Sequence, residues 1–291
     1  MTEPELHHYV PQFYLNRFVE ASGRLWVWDK LKNTIFKTNP KNVAAEKNFY
    51  WIQELADAGL DPYTMEKQLS RLEANVSLIT DQWLHWFSDL EPGQQIDIPE
   101  VNREEVALFI AVQWLRTLDQ REIIGAFSDL NPADSKEHAR QHTNLMWDLR
   151  VVNSIRDRIK NSIWIFGRNE TEMPFITSDN PIGFKTSDNR QWTRGGILAP
   201  GVYAVYPLSP DIVMYCHDPV ERWVAISKFA NCLSPVHFTE ELVESDNCGQ
   251  VFKSTRFVFS SVNKFERAKD FADAIATNRH APAELEKETN Q

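Results

Sequence analysis

Apolar and polar positions follow two different spacings along the chain and divide it into three parts. Residues 25–28 and 34–37 alternate as strands do, with Asn33 in the turn between them, and predict a hairpin near the start of the chain. From Pro62 onward, apolar residues recur at intervals of three and four, which predicts amphipathic helices. After residue 161, short apolar runs separated by Pro, Gly and Asn predict a sheet.

The central part predicts three helices between about residues 62 and 160. The first begins at Pro62, the second begins near Asn102, and the third covers residues 135–160. Further on, the spacing predicts a helix over 219–233, a strand at 257–260 and an amphipathic helix over 265–277.

Together these elements predict an α+β fold. We expect a single compact domain over residues 1–283, in which a helical middle lies between an N-terminal hairpin and a C-terminal antiparallel or mixed sheet. Residues 284–291 are predicted to form a frayed, charged tail.

Composition limits the class of protein. No apolar run approaches the roughly 20 residues that a membrane-spanning helix needs, and the first residues are acidic and polar where a signal peptide would be basic and then apolar. We therefore expect a soluble, cytoplasmic protein. Cys216, Cys232 and Cys248 are too widely spaced for a cysteine zinc site, so ordinary reduced thiols are expected.

Charge and missing motifs narrow the function classes further. The net charge of −10 argues against a protein that coats nucleic acid, although it allows a local pocket for a nucleic acid or a nucleotide. The chain contains no glycine-rich phosphate loop, so no nucleotide cofactor is predicted. The sequence leaves the oligomeric state open.

The first candidate for chemistry is the segment 7–18, which mixes aromatic residues with His8, Gln12 and Arg17. Polar groups among aromatics need a hydrogen-bonded network or a site, because unpaired burial is costly. His8 could act as an acid, a base or a metal ligand, or be a hydrogen-bonded core histidine, whereas His7 is expected to be exposed. The segment fits either a strand or a short helix after Pro11.

Two further candidates lie on the predicted helices. Glu66 and Glu73 are seven residues apart and share one helix face, where they could bind a divalent cation, share acid and base work, or simply be solvated. Gln113 and Arg116 lie within an apolar run, and a guanidinium there needs a carboxylate or phosphate partner. Arg116 could pair with Glu66 or Glu73, or bind an anionic substrate.

The last candidates follow the predicted strand around residue 176. Asp179 and Asn180 precede a proline, an arrangement typical of a turn and also of a site that ends a strand. His138 and His142 are one helical turn apart, but their neighbours are polar, so we expect an exposed helix face.

The separated polar segments resemble one known family. Residues 8–15, 25–30, 49–50, 66–73, 113–116 and 175–181 are similar to the bacterial family catalogued as domain of unknown function 4238, over roughly residues 7–262. The resemblance implies that the polar segments belong to one domain and that their side chains converge. The residues concerned are His8, Gln12, Glu66, Glu73, Gln113, Arg116, Asp179 and Asn180. The family brings no known activity.

Three functions fit these residues. The first is a hydrolase, a metal-dependent phosphoesterase or nuclease, with Mg²⁺ or Mn²⁺ bound by Glu66, Glu73 and Asp179 and with His8 among the catalytic groups. Gln12, Gln113, Arg116 and Asn180 would bind its substrate. The second is a non-catalytic module that binds a small ligand or a protein. The third is a buried polar network that only fixes the packing of the helices against the strands.

Overall fold

Strands from both ends of the chain enclose a central run of helices. The computed structural model describes residues 6–91, 93–127, 135–188, 191–194, 196–219, 227–234 and 236–275. The helices are α1 (Gln12–Leu15), α2 (Gln53–Asp57), α3 (Thr64–Asp89), α4 (Glu100–Leu115), α5 (Leu118–Phe127), α6 (Ser135–Trp147), α7 (Leu149–Lys160), α8 (Glu240–Lys253) and α9 (Glu266–Ile275). The strands are β1 (Leu6–His8), β2 (Leu25–Asp29), β3 (Thr34–Thr38), β4 (Ala45–Lys47), β5 (Ile96–Asp97), β6 (Ile163–Asn169), β7 (Thr177–Ser178), β8 (Gly183–Thr186), β9 (Val202–Pro207), β10 (Ile212–His217), β11 (Cys232–Leu233), β12 (Val236–Phe238) and β13 (Phe257–Ser260).

The predicted α+β class and the helical middle are confirmed, although helices α2, α5 and α8 were not predicted. Two of the predicted helices need correction. The single helix expected over 135–160 is wrong, because Asp148 leaves the helical conformation and its side chain accepts a hydrogen bond from the Arg150 amide, which starts α7. The helix expected over 219–233 is also wrong for its described part, where residues 232–233 pair with β5. Residues 220–226 lie outside the described residues.

The larger sheet is mixed and is covered on both faces. Its strand order is β12-β6-β10-β9-β8, and β12 runs parallel to β6 while the other neighbours are antiparallel. Alternation along β6 sends Trp164 and Phe166 into the main core, where Trp83 of α3 packs against both rings. Ile165 faces the opposite side, in a second cluster that includes Val243 of α8.

The predicted hairpin forms, but it belongs to a sheet that the sequence did not indicate. The strand order there is β3-β2-β13-β7, so the late strand β13 lies between the hairpin and β7. Asn33 turns the hairpin with a positive φ of 47°. This pairing places residues 179–180, directly after β7, beside the chain that enters β13.

Each helix in the described part of the chain is too short or too polar to cross a lipid bilayer. The predicted domain limit at residue 283 and the predicted tail 284–291 lie outside the described residues.

Candidate functional site

The N-terminal segment contains both elements that its pattern allowed. Strand β1 pairs with β4, and Pro11, whose fixed φ suits a helix start, precedes α1. Successive side chains of a strand point to opposite sides, so His7 and His8 have different surroundings. His7 is buried, contrary to its expected exposure, and its Nδ1 accepts a hydrogen bond of 2.9 Å from the Tyr50 amide. His8 is only partly buried.

Two hydrogen bonds define the protonation of His8. Its Nε2 lies 3.2 Å from the Lys41 carbonyl oxygen, and its Nδ1 lies 3.4 Å from the side-chain nitrogen of Gln12. A carbonyl oxygen can only accept, so Nε2 carries the proton and the Nδ1 of a neutral ring holds the lone pair. Burial, helped by the charge of Arg116, lowers the pKa of His8 below its usual 6.5, whereas the Lys41 carbonyl and Glu73 act to raise it. The imidazole is therefore neutral at pH 7.

Arg116 is the centre of a buried polar network. Only 1% of its side chain is exposed, and its Nη1 donates to Glu73 Oε1 at 2.6 Å. Its Nε and Nη2 both donate to Gln113 Oε1, at 2.8 and 2.5 Å, while the Gln113 amide donates to the Tyr9 carbonyl at 3.0 Å. Of the two alternatives for Arg116, the ion pair with a helical glutamate is the one that forms. Glu73 keeps 25% of its side chain exposed.

Glu66 acts on this network through its charge. Its carboxylate and that of Glu73 favour the charged form of Arg116, and both add to burial in raising the pKa of Tyr50. Glu66 also lines an open groove of about 610 Å³ beside Tyr63 and Arg71. We call the six residues His8, Gln12, Glu66, Glu73, Gln113 and Arg116 the Arg116 cluster.

Asp179 and Asn180 form a separate network. The carboxylate of Asp179 accepts hydrogen bonds from the backbone amides of Thr255, Arg256 and Phe257 at 2.8, 2.6 and 2.8 Å. Burial raises its pKa to about 6, against the effect of these amides and of the Lys30 charge. The side-chain nitrogen of Asn180 donates to the Lys253 carbonyl at 3.1 Å and to the Thr255 hydroxyl at 2.5 Å. Both side chains thus fix the chain between α8 and β13.

Tyr9 lies between the two groups of residues. Its carbonyl belongs to the network of Arg116, and its buried phenol has a raised pKa, first because of burial and then because of the negative charge of Asp179. The structure therefore brings six of the eight predicted residues together and leaves Asp179 and Asn180 on the far side of Tyr9.

A family comparison agrees with the resemblance seen in these segments. A family model described as "Protein of unknown function (DUF4238)" matches residues 6–264, which is most of the chain. The chain belongs to this family. Searches of the curated proteins and of the solved structures find no match.

This member of the family contains a second buried ion pair that its sequence did not reveal. Lys253 Nζ lies 3.3 Å from Asp119 Oδ2, and their side chains are 1% and 7% exposed. It links α8 to α5 across the molecule. The sequence offered one sign of this pair, because Lys253 directly follows the apolar residues Val251 and Phe252. Its partner Asp119, however, lies 134 residues away along the chain.

No group of three or more His, Cys, Asp or Glu side chains that could hold a metal ion occurs among the described residues. Glu66, Glu73 and Asp179 accordingly do not form a three-ligand site in this family member. Mg²⁺, however, is commonly bound by only one or two carboxylates together with waters and substrate phosphates.

The prediction that His138 and His142 lie on an exposed helix face is wrong for His142. This histidine is fully buried, its Nε2 donates to the Leu115 carbonyl at 2.7 Å, and Arg121 Nε donates to its Nδ1 at 3.4 Å. Burial, followed by the charge of Arg121, lowers its pKa from 6.5 to about 4. His142 therefore stays neutral in the folded protein under conditions that protonate it in the unfolded chain.

We expect the free energy of unfolding of His142→Gln to change less between pH 7 and 4 than that of wild type. The unfolded chain binds a proton at His142 near pH 6.5 and the folded protein only near pH 4, so this contribution is present above pH 6.5 and lost as the pH falls towards 4. The difference corresponds to roughly 3 kcal/mol. Urea unfolding between pH 7 and 4 measures it, with His85→Gln, an exposed histidine, as control. Equal slopes in wild type and His142→Gln would contradict the assignment.

Proposed function

We propose that the protein is a hydrolase that cleaves phosphoester bonds at the Arg116 cluster. The observation that carries the proposal is the partly exposed, neutral His8, whose pKa is influenced by the charge of Glu73, a carboxylate held in place by a fully buried arginine. A structural network alone needs no imidazole that is neutral and reachable from solvent. The nucleotide or nucleic-acid substrate belongs to the same proposal.

His8 acts as the general base in this proposal. Its Nδ1 lone pair takes the proton of the attacking water, and Gln12, which is exposed, moves aside from Nδ1 as the water binds. The negative charge of Glu73 favours the imidazolium that results, since this charge already raises the pKa of His8. Gln113 and Arg116 act as positioning residues, because Arg116 is too buried to touch a substrate.

A divalent cation at the exposed side of the cluster is part of the same proposal. Glu73, and Glu66 two helical turns before it, would hold Mg²⁺ or Mn²⁺, which would supply positive charge to a substrate phosphate. Asp179 has no part in this version of the site, since both of its oxygens accept backbone hydrogen bonds.

His8→Ala tests the proposal. Wild type is incubated with labelled RNA, single-stranded and duplex DNA and mixed nucleotides, with Mg²⁺, Mn²⁺ or a chelator. We expect turnover that falls by about 10²–10⁴-fold in His8→Ala, the usual contribution of a general base. His85→Ala, on the exposed face of α3, is the matched control and keeps the wild-type rate. Unchanged turnover in His8→Ala, or none in wild type on any substrate, would refute the proposal.

A non-catalytic binding module is the second candidate function, and one observation favours it. The Nε, Nη1 and Nη2 atoms of Arg116 all donate to Glu73 or Gln113, so the cluster needs no bound ligand to satisfy its arginine. Mass spectrometry after denaturation would detect a small molecule retained by wild type. Retention without turnover would favour this function over hydrolysis.

A further inference from the structure

A cavity that shares no lining residue with the Arg116 cluster lies between residues 172–176, α8 and the start of α9. Its volume is about 230 Å³, and it is lined by Glu172, Met173, Pro174, Ile176, Glu240, Glu244, Asn247, Cys248, Lys264, Glu266, Arg267 and Ala268. We infer that this cavity binds a small organic cation, with an apolar body on its floor and an ammonium group at its carboxylate rim.

The floor of the cavity suits an apolar body. Met173, Pro174, Ile176, Cys248 and Ala268 supply carbon and sulfur surface, and Ile176 is only 4% exposed. The amide of Asn247 is already used, because its oxygen accepts from the Ile176 amide at 2.9 Å and its nitrogen donates to the Pro174 carbonyl at 3.0 Å. The volume lies just below the range of roughly 300–1,000 Å³ typical of ligand pockets, which fits one ring with a short chain.

The rim determines the sign of the ligand's charge. Four exposed or partly exposed carboxylates, those of Glu172, Glu240, Glu244 and Glu266, line the cavity together with two cations, Lys264 and Arg267. Arg267 is engaged by two of them, with Glu240 at 3.0 Å and Glu244 at 2.6 Å. The surplus of negative charge attracts a cation and repels an anion of the same shape.

Cys248 provides a reporter for the cavity that it lines. Burial raises the pKa of its thiol to about 11, and the carboxylate of Glu244 is the next cause. Cys216 and Cys232 are 1% and 3% exposed, whereas Cys248 is half-buried against the cavity. A thiol reagent should therefore label Cys248 in the folded protein before the other two.

The test compares three small molecules that share a phenyl ring and differ in the charge of the attached group. N-ethylmaleimide labelling of the full chain at pH 8 is followed by intact mass in the presence of 2-phenylethylammonium, 2-phenylethanol or phenylacetate. We expect labelling of Cys248 to slow several-fold with the cation, less with the alcohol and not at all with the anion. Equal protection by phenylacetate, or none by the cation, would overturn the inference.

Single variants show how much the rim charges and the floor of the cavity each contribute to the protection of Cys248. We expect Glu172→Gln and Glu266→Gln each to weaken protection by the cation by up to about fivefold, since an exposed ion contact contributes at most about 1 kcal/mol. Glu91→Gln, an exposed carboxylate outside the cavity, is the matched control. Ala268→Leu fills the floor and should abolish protection. Retained protection in Ala268→Leu would contradict the cavity as the site, and a variant that fails to fold is recognised by labelling of all three cysteines.

Discussion

Arg116→Met should lower the free energy of unfolding by about 3 kcal/mol. The substitution removes the donors that bind Gln113 Oε1 and Glu73 Oε1, and Gln113 has no exposed surface through which water could replace them. Breaking a buried charged pair by removing one partner costs about 3–5 kcal/mol. We expect the lower end, because Glu73 is 25% exposed and its carboxylate can be hydrated. Urea unfolding at pH 7.5 measures the loss.

The matched control is Arg71→Met, an exposed arginine of α3, which should change the stability by no more than about 0.5 kcal/mol. The double variant Arg116→Met with Gln113→Met removes the stranded acceptor as well. Its loss in the free energy of unfolding should therefore be clearly smaller than the sum of the losses of the two single variants. If the losses of the two single variants simply added in the double variant, or if Arg116→Met were as stable as wild type, the network would not hold these helices together.

Asp179→Ala should have an effect of similar size for a different reason. The amides of Thr255, Arg256 and Phe257 would lose their acceptor in a region where Asp179 is 1% exposed, and a buried unsatisfied donor costs about 1–3 kcal/mol. We expect a loss of about 3 kcal/mol or more at pH 7.5. Because the pKa of Asp179 is about 6 in the folded protein, its carboxylate is ionised at that pH.

Asp157→Ala, at an exposed position of α7, controls for the loss of a carboxylate and should be nearly neutral. Asp179→Asn keeps one acceptor oxygen and should lie between wild type and Asp179→Ala. If Asp179→Ala and Asp179→Asn were both as stable as wild type, the three amide hydrogen bonds would not hold β13 in place.

The period of the apolar pattern predicted the α+β class, the helical middle and several individual elements. Strands at residues 25–28, 34–37 and 257–260 and the long helix after Pro62 are confirmed, because each follows a regular spacing of apolar residues over its own length. Pattern alone could not show that β13 joins β2, since strand pairing over such a distance leaves no local trace. The break at Asp148 depends on one capping side chain, which apolar spacing does not register.

The candidate site was predictable where the motif residues follow one helix face or one strand. Glu73 and Arg116 were recognised because a charge among apolar residues needs a partner. His142 was misjudged because its polar sequence neighbours say nothing about the Leu115 carbonyl and the Phe49 ring that enclose it. The cytoplasmic location and the hydrolytic function stay predictions.

The position of β13 between β2 and β7 affects how the protein is made. While a ribosome is still synthesising residues 177–250, the hairpin β2–β3 has one edge of β2 with no partner, and Val27 and Trp28, buried in the finished protein, lack their cover from β13. The nascent chain must keep this edge from pairing with other chains until residue 260 emerges. Slow translation or early termination before β13 therefore leaves this edge of the hairpin unpaired for longer.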